Sequence, residues 1–332
     1  MPLFKTTEQL RSHYPARLTF DIEDLLPTLV QVEQEYLAEQ VLGPALYTDL
    51  HEGFTNNTLS PPLTTLLDRC RPAVANLAVY HFTGIANVEF TSGGLVVGQS
   101  DVKRPASEWR TRDLERAVLR LGYRALDALI DHLLSDPSAY PHYAASTPFV
   151  RLAAGFVRTT QQFDEVVRIG NSGFLFHKLI PTIRRIEATT IQDVLCSATV
   201  RDQLLTSASL STPTPEHVEL LGHLRRTVAH LAMADAIVEL SLGIDERGVW
   251  AFNSLIGQTS GGPLTASDAR INDRITHHRN LGIASAERLQ RTLQQQAALD
   301  GSHPYAASPC FMAPGQPAPE PFQTDRPVGG FL

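Results

Sequence analysis

Histidine, cysteine and carboxylate side chains are where metal, redox or hydrolytic chemistry would begin, so their spacing is decisive. His277 and His278 are adjacent. Neighbours on a helix point about 100° apart, so this pair does not converge on one metal and reads as solvent-facing. Cys70, Cys196 and Cys310 are widely separated, with no Cys-x-x-Cys or Cys/His ligand spacing. That pattern supports neither a disulfide framework nor a zinc site, and it fits a reducing, cytoplasmic folding environment. Cys70 and Cys196 fall in apolar helical stretches, as core cysteines do. Asp21, Glu23 and Asp24 precede a helix. Negative charge is favourable there, and this reading is preferred to paired catalytic acids. Glu33 and Glu187 are each expected to pair with an arginine on a neighbouring helix or to be solvated. The sequence holds no HExxH, P-loop, GxGxxG or GxSxG motif. TSGG occurs twice, at Thr91–Gly94 and Thr259–Gly262, but neither copy opens a helix as a phosphate cradle must. The expectation is a non-enzyme with no catalytic residue, cofactor or metal.

Composition narrows the partners. The chain has 332 residues, enough for two ordinary domains, and 43% are hydrophobic, enough for a core in each. The net charge of −7 gives no global attraction to nucleic acid. Arginines at 110, 112, 116, 120 and 124 are interleaved with Glu108, Asp113 and Glu115, which describes a solvated or inter-subunit face rather than a DNA patch. The opening MPLFKTTEQLRSHYP has no apolar signal-peptide region, and no apolar run approaches a membrane span.

The elements that would carry any function occur twice. LFKTTEQL at Leu3–Leu10 matches FVRTTQQF at Phe156–Phe163, an offset of 153 residues. LLPTLVQVE at Leu25–Glu33 matches LIPTIRRIE at Leu179–Glu187, an offset of 154. That offset then holds for Ser60-Pro61 with Thr214-Pro215, Arg71 with Arg225, Leu77-Ala78 with Leu231-Ala232, and Gly94 with Gly248. Leu121 onward resembles Leu281 onward, at 160. Four blocks in the same order indicate a tandem duplication.

One module can be read from its signals. Thr6-x-x-Gln9 and Thr159-x-x-Gln162 are capping boxes, each starting a short helix. Helical spacing follows at Leu25, Leu29, Val32, Tyr36 and Leu37, and at Leu179, Ile183, Ile186, Ile191 and Val194. Pro27 and Pro181 belong in a first turn or mark a kink. A cap followed by proline then starts long helices over 61–86 and 215–241, the first kinked at Pro72. A β-hairpin follows each, with turns at Gly93-Gly94 and Asp245–Gly248. Helices over 107–134 and 265–298 close the modules. The expected architecture is mainly α with small β-hairpins: a first module over 1–134, a linker over 135–155, a second module over 156–299 and an extended Pro-rich arm over 300–332. Such an arm, if ordered, would be held by a neighbouring chain.

This order resembles the helical head–tail connector proteins of tailed bacteriophages, the adaptor or head-completion class. LFKTTEQL, EQEYLAEQVLGPALY (Glu33–Tyr47) and AVANLAVYHF (Ala73–Phe82) carry the likeness. With GYRALDALIDHL (Gly122–Leu133), the chain over about 1–300 is similar to an uncharacterised family encoded among phage structural genes in Bacteroidota. The usual connector has one module, so the duplication departs from that class. The resemblance implies a virion neck protein: a ring of six or twelve chains, joining portal protein to a tail or second neck protein, with DNA passing through without sequence-specific binding and with no membrane contact. Phe90, Leu95, Val97, Trp250, Phe252, Phe311, Phe322 and Phe331 are the expected inter-subunit contacts. The alternatives are another tail component, such as a tail terminator or baseplate protein, and a cellular helical scaffold or regulatory protein.

Overall fold

The computed structural model describes residues 2–13, 22–83, 88–91, 94–97, 108–209, 213–245, 248–251 and 268–313. They divide into two compact units, Met1–Leu152 with Ser172–Leu175, and Ala153–Asn171 with Phe176–Leu332.

In the first unit, the Thr6 hydroxyl accepts from the Gln9 amide and starts α1 (Thr7–Arg11). Then α2 (Ile22–Val32) buries Leu25, Leu29 and Val32 on one face. It continues as a wider π-helical stretch, Glu33–Leu42, which buries Tyr36, Leu37, Val41 and Leu42. Gly43 ends it at φ +81°, and a Cβ there would lie 2.6 Å from that of Ser146. Pro44 then opens α3 (Pro44–Asn56) at its first position, where a missing N–H costs nothing. The long helix α4 (Pro61–Thr83) continues through Pro72. After it, β1 (Val88–Thr91) and β2 (Gly94–Val97) form an antiparallel hairpin, with Val88 opposite Val97 and Phe90 opposite Leu95. The closing helix α5 (Glu108–Ser135) runs back along α4. The core lies between them and α2, with Cys70, Ala73, Leu77, Leu126, Leu129 and Leu133 fully enclosed.

Residues 135–155, expected as a linker, are instead folded. A 3-10 turn at Pro137–Ala139 precedes α6 (Pro141–Ala144) and α7 (Thr147–Ala153). Pro137 and Pro141 each occupy a first helical turn, where the ring's fixed φ favours the helix. Tyr140 and Tyr143 are buried in the first unit's core, so the prolines start the turns and the aromatic residues fasten them to the core.

The second unit repeats the order. Thr159 caps α8 (Thr160–Asp164). Next come α9 (Gly173–Ala188), which belongs to this unit from Phe176 onward, α10 (Thr190–Leu195) and α11 (Ala198–Ser209). Ala198 starts a helix as its counterpart Pro44 does. The Ser197 hydroxyl accepts from the Val200 amide and supplies the cap. The long helix α12 (Pro215–Ser241) leads to β3 (Leu242–Asp245) and β4 (Gly248–Ala251), paired antiparallel with Gly243 opposite Trp250. The closing helix α13 (Asp268–Leu299) packs on α12. Pro27 and Pro181 lie inside α2 and α9, past the first turn, which removes the first of the two places the sequence allowed them.

The arm begins differently from its expectation. Residues 304–307 form a 3-10 turn with Tyr305 buried. Cys310 is joined to Cys196 by a disulfide, with Cα atoms 5.9 Å apart. The reading of separate, reduced cysteines is corrected here. The pair is 114 residues apart in sequence, so no local spacing signals it. Cys70 is free and buried, as expected.

Candidate functional site

Two carboxylates at equivalent positions tie down equivalent N-terminal segments. Glu33 is 1% exposed, and its Oε1 accepts from the Leu3 amide at 2.7 Å. Glu187 is 2% exposed, and its Oε1 accepts from the Phe156 amide at 2.7 Å and the Val157 amide at 3.1 Å. The other side of each segment is held by an arginine of the long helix. Arg71 Nε donates to the Leu3 carbonyl at 3.1 Å, and Arg225 Nε to the Phe156 carbonyl at 3.1 Å. The next turn matches too: Gln9 Oε1 accepts from the Lys5 amide, and Gln162 Oε1 from the Arg158 amide. Hydrogen bonds to a buried charge are the strong kind, about 1.5–3 kcal/mol each.

The expectation that each glutamate pairs with an arginine on a neighbouring helix, or is solvated, is corrected by these contacts. Arg184 reaches Glu187 from one turn earlier on α9 itself. Glu33 has the Tyr47 hydroxyl instead, donating to Oε2 at 3.0 Å. Burial pushes the Glu33 carboxyl up to about 7, outweighing the Leu3 amide and the Tyr47 hydroxyl. These carboxylates latch backbone. The equivalent repeat positions were the sequence signal for them.

The second unit also carries a cleft of about 980 Å³. Its apolar lining comes from Val166, Val167, Met233, Ile237, Ile271 and Leu281, and its polar lining includes Arg168, Arg270, Arg274 and Asp273. Also on the lining, His230 on α12 and His278 on α13 share a hydrogen bond between their Nδ1 atoms at 3.0 Å. Burial, then the neighbouring His278, lowers the His230 pKa to about 4. His278 is therefore part of an inter-helical contact, correcting its solvent-facing reading, whereas His277 is exposed. In the first unit the same two positions hold Asn76 and Val118, both buried. There the Asn76 side-chain amide donates to the His13 carbonyl, and His13 is the counterpart of Val166. No cluster of three or more potential metal ligands occurs among the described residues.

The expected inter-subunit residues fall in three places. Phe90, Leu95 and Val97 lie on the first hairpin, and Trp250 on the second. Phe311 is half-buried in the chain's own second unit, next to Cys310. Phe252, Phe322 and Phe331 lie outside the described residues. The segment around Phe311 is fixed by Gln294 of α13, whose Nε2 donates to the Cys310 carbonyl at 2.6 Å and whose Oε1 accepts from the Met312 amide at 3.1 Å. As far as residue 313 the arm's holder is thus this chain itself.

Matched latches, matched long-helix pairs and matched hairpins define a protein of two tandem helical modules. Both modules answer to one family pattern: the chain belongs to the family of unknown function DUF6712, which matches residues 38–151 and again residues 189–298. No curated protein and no solved structure matches the chain.

Proposed function

We propose that this chain is a structural subunit of a tailed-phage neck: a ring-forming head–tail connector that joins portal to tail and continues the DNA channel, without catalysis. The observation that carries the reading is the duplication at the level of contacts. The Glu33–Leu3–Arg71 and Glu187–Phe156–Arg225 latches recur with the same atoms and distances. A ring is built from heterologous contacts that close, and tandem modules supply two similar units per chain. Six chains then present twelve modules, and twelve chains can form two layers.

The hairpins support the same reading. Each sheet has two strands, so among the described residues each has two outer edges without a strand partner. Unpaired edges are templates for strand addition by a neighbour. No helix among the described residues is long and apolar enough to cross a membrane, in keeping with a role that does not need one.

The test is light scattering and negative-stain imaging of the purified chain, alone and with the portal protein. Rings of six or twelve chains are expected in at least one condition. Monomers in both overturn the proposal.

A further inference from the structure

The cleft of the second unit is charged in a way the described residues leave unanswered. Arg168, Arg270 and Arg274 are exposed on its lining and form no ion pair among the described residues, and Asp273 is the lining's one acid. Apart from three histidines, the rest of the lining is apolar. An occupant with an apolar anchor flanked mostly by acids fits this surface. The volume of about 980 Å³ accepts a short peptide rather than a single side chain.

The chain carries such a peptide at a matching distance. Gln294 fixes the backbone at Cys310 and Met312. From Gln294 back to Arg274 along α13 is twenty residues, about 30 Å at the helical rise. From Met312 the Pro-rich arm advances about 3.1 Å per residue when extended as polyproline II. Ten such residues, from Met312 to Phe322, span about 31 Å, a reach that matches that length of α13. Around Phe322 the sequence reads Pro-Glu-Pro-Phe-Gln-Thr-Asp-Arg, Pro319–Arg326. Phe322 supplies an apolar anchor. Glu320 and Asp325 complement the arginines, and Arg326 complements Asp273.

We propose that the cleft is the docking site for residues Pro319–Arg326 of the same chain, with Phe322 taken by the apolar part of the lining and Glu320 and Asp325 by Arg168, Arg270 and Arg274. The tether at Met312 makes the encounter intramolecular, so its effective concentration is high without any partner. The disulfide and the Gln294 bonds anchor the arm at the spacing this requires. The first unit closes the equivalent helix–helix edge with Asn76 and Val118 and has no C-terminal arm of its own. The proposal does not depend on ring formation.

Hydrogen exchange on the full-length chain tests it, at low and at high protein concentration. The amides of Phe322–Asp325 are expected to exchange roughly tenfold or more slowly than in an unstructured peptide, at both concentrations. The exposed-site double variant R270E/R274E, and separately Phe322→Ala, are expected to abolish that protection. Adding E320R/D325R to R270E/R274E is expected to restore it. Unprotected amides in the parent chain overturn the proposal, as does protection that survives R270E/R274E. Protection that grows with concentration also overturns it, since a second copy would then supply the arm. Exchange across α12 and α13 reports whether each variant remains folded.

Discussion

Glu33 is a buried and His230 a half-buried ionisable group, and their shifts act in opposite directions on acidification. Glu33 carries a folded pKa of about 7 against an ordinary 4.5. A raised carboxyl pKa means the folded unit binds its proton more tightly. The Glu33 contribution to stability is greatest below pH 4.5 and falls as pH rises to 7, by about 3 kcal/mol at 1.36 kcal/mol per decade of proton affinity. His230 carries a folded pKa of about 4 against 6.5. Its contribution is intact above 6.5 and is lost as pH falls toward 4. Hydrogen exchange as a function of pH is expected to show α2 gaining protection on acidification while α12 loses it. Glu33→Gln keeps the acceptor for the Leu3 amide and removes the buried charge, so it should flatten the α2 profile and stabilise the first unit near pH 8. A parent profile for α2 that is flat between pH 4.5 and 7 would contradict the assignment to Glu33.

At the scale of elements, the long helix pairs depend on close approach at one glycine each. A Cβ on Gly122 would lie 2.7 Å from Leu77 Cγ and 3.4 Å from its backbone nitrogen, and a Cβ on Gly282 meets Leu231 with the same two distances. The side chain can shift but the backbone cannot, so Gly122→Ala and Gly282→Ala should each cost about 1–3 kcal/mol through overpacking. Melting followed by circular dichroism checks this, and unequal costs would show that the two helix pairs are not equivalent. Sequence reasoning reached the helices, their caps and the paired hairpin strands because those signals are local: a hydroxyl three residues before an amide, a proline at a first turn, a glycine between β-prone residues. It did not reach the π-helical stretch at Glu33–Leu42. There α2 continues past its last regular turn in a wider winding that buries Tyr36, Leu37 and Val41 and that no local signal marks.

For the whole molecule, the Cys196–Cys310 bond closes a 114-residue loop inside the second unit. Loops of that size give about 2–5 kcal/mol through the unfolded chain's lost entropy. Reduction, or Cys310→Ser, should therefore lower the melting temperature of the second unit and leave the first unit unchanged. Differential scanning calorimetry with and without reductant reads both. Equal loss in both units would mean that they unfold together. A thiol titration of the unreduced chain should find Cys70 alone, and only after denaturation, because it is fully buried.

The amino-acid sequence by itself determined the duplication, the mainly helical class and the approximate limits of the long elements. Periodicity, caps and turns act between residues a few positions apart, and two copies of them announce one another. Only the tertiary structure decided the partners of Glu33 and Glu187, the pairing of Cys196 with Cys310, the meeting of His230 with His278, and the folding of residues 135–152 into the first core. Each of those depends on which atoms arrive together once water is excluded. That is a property of packing between distant segments, on which sequence spacing is silent.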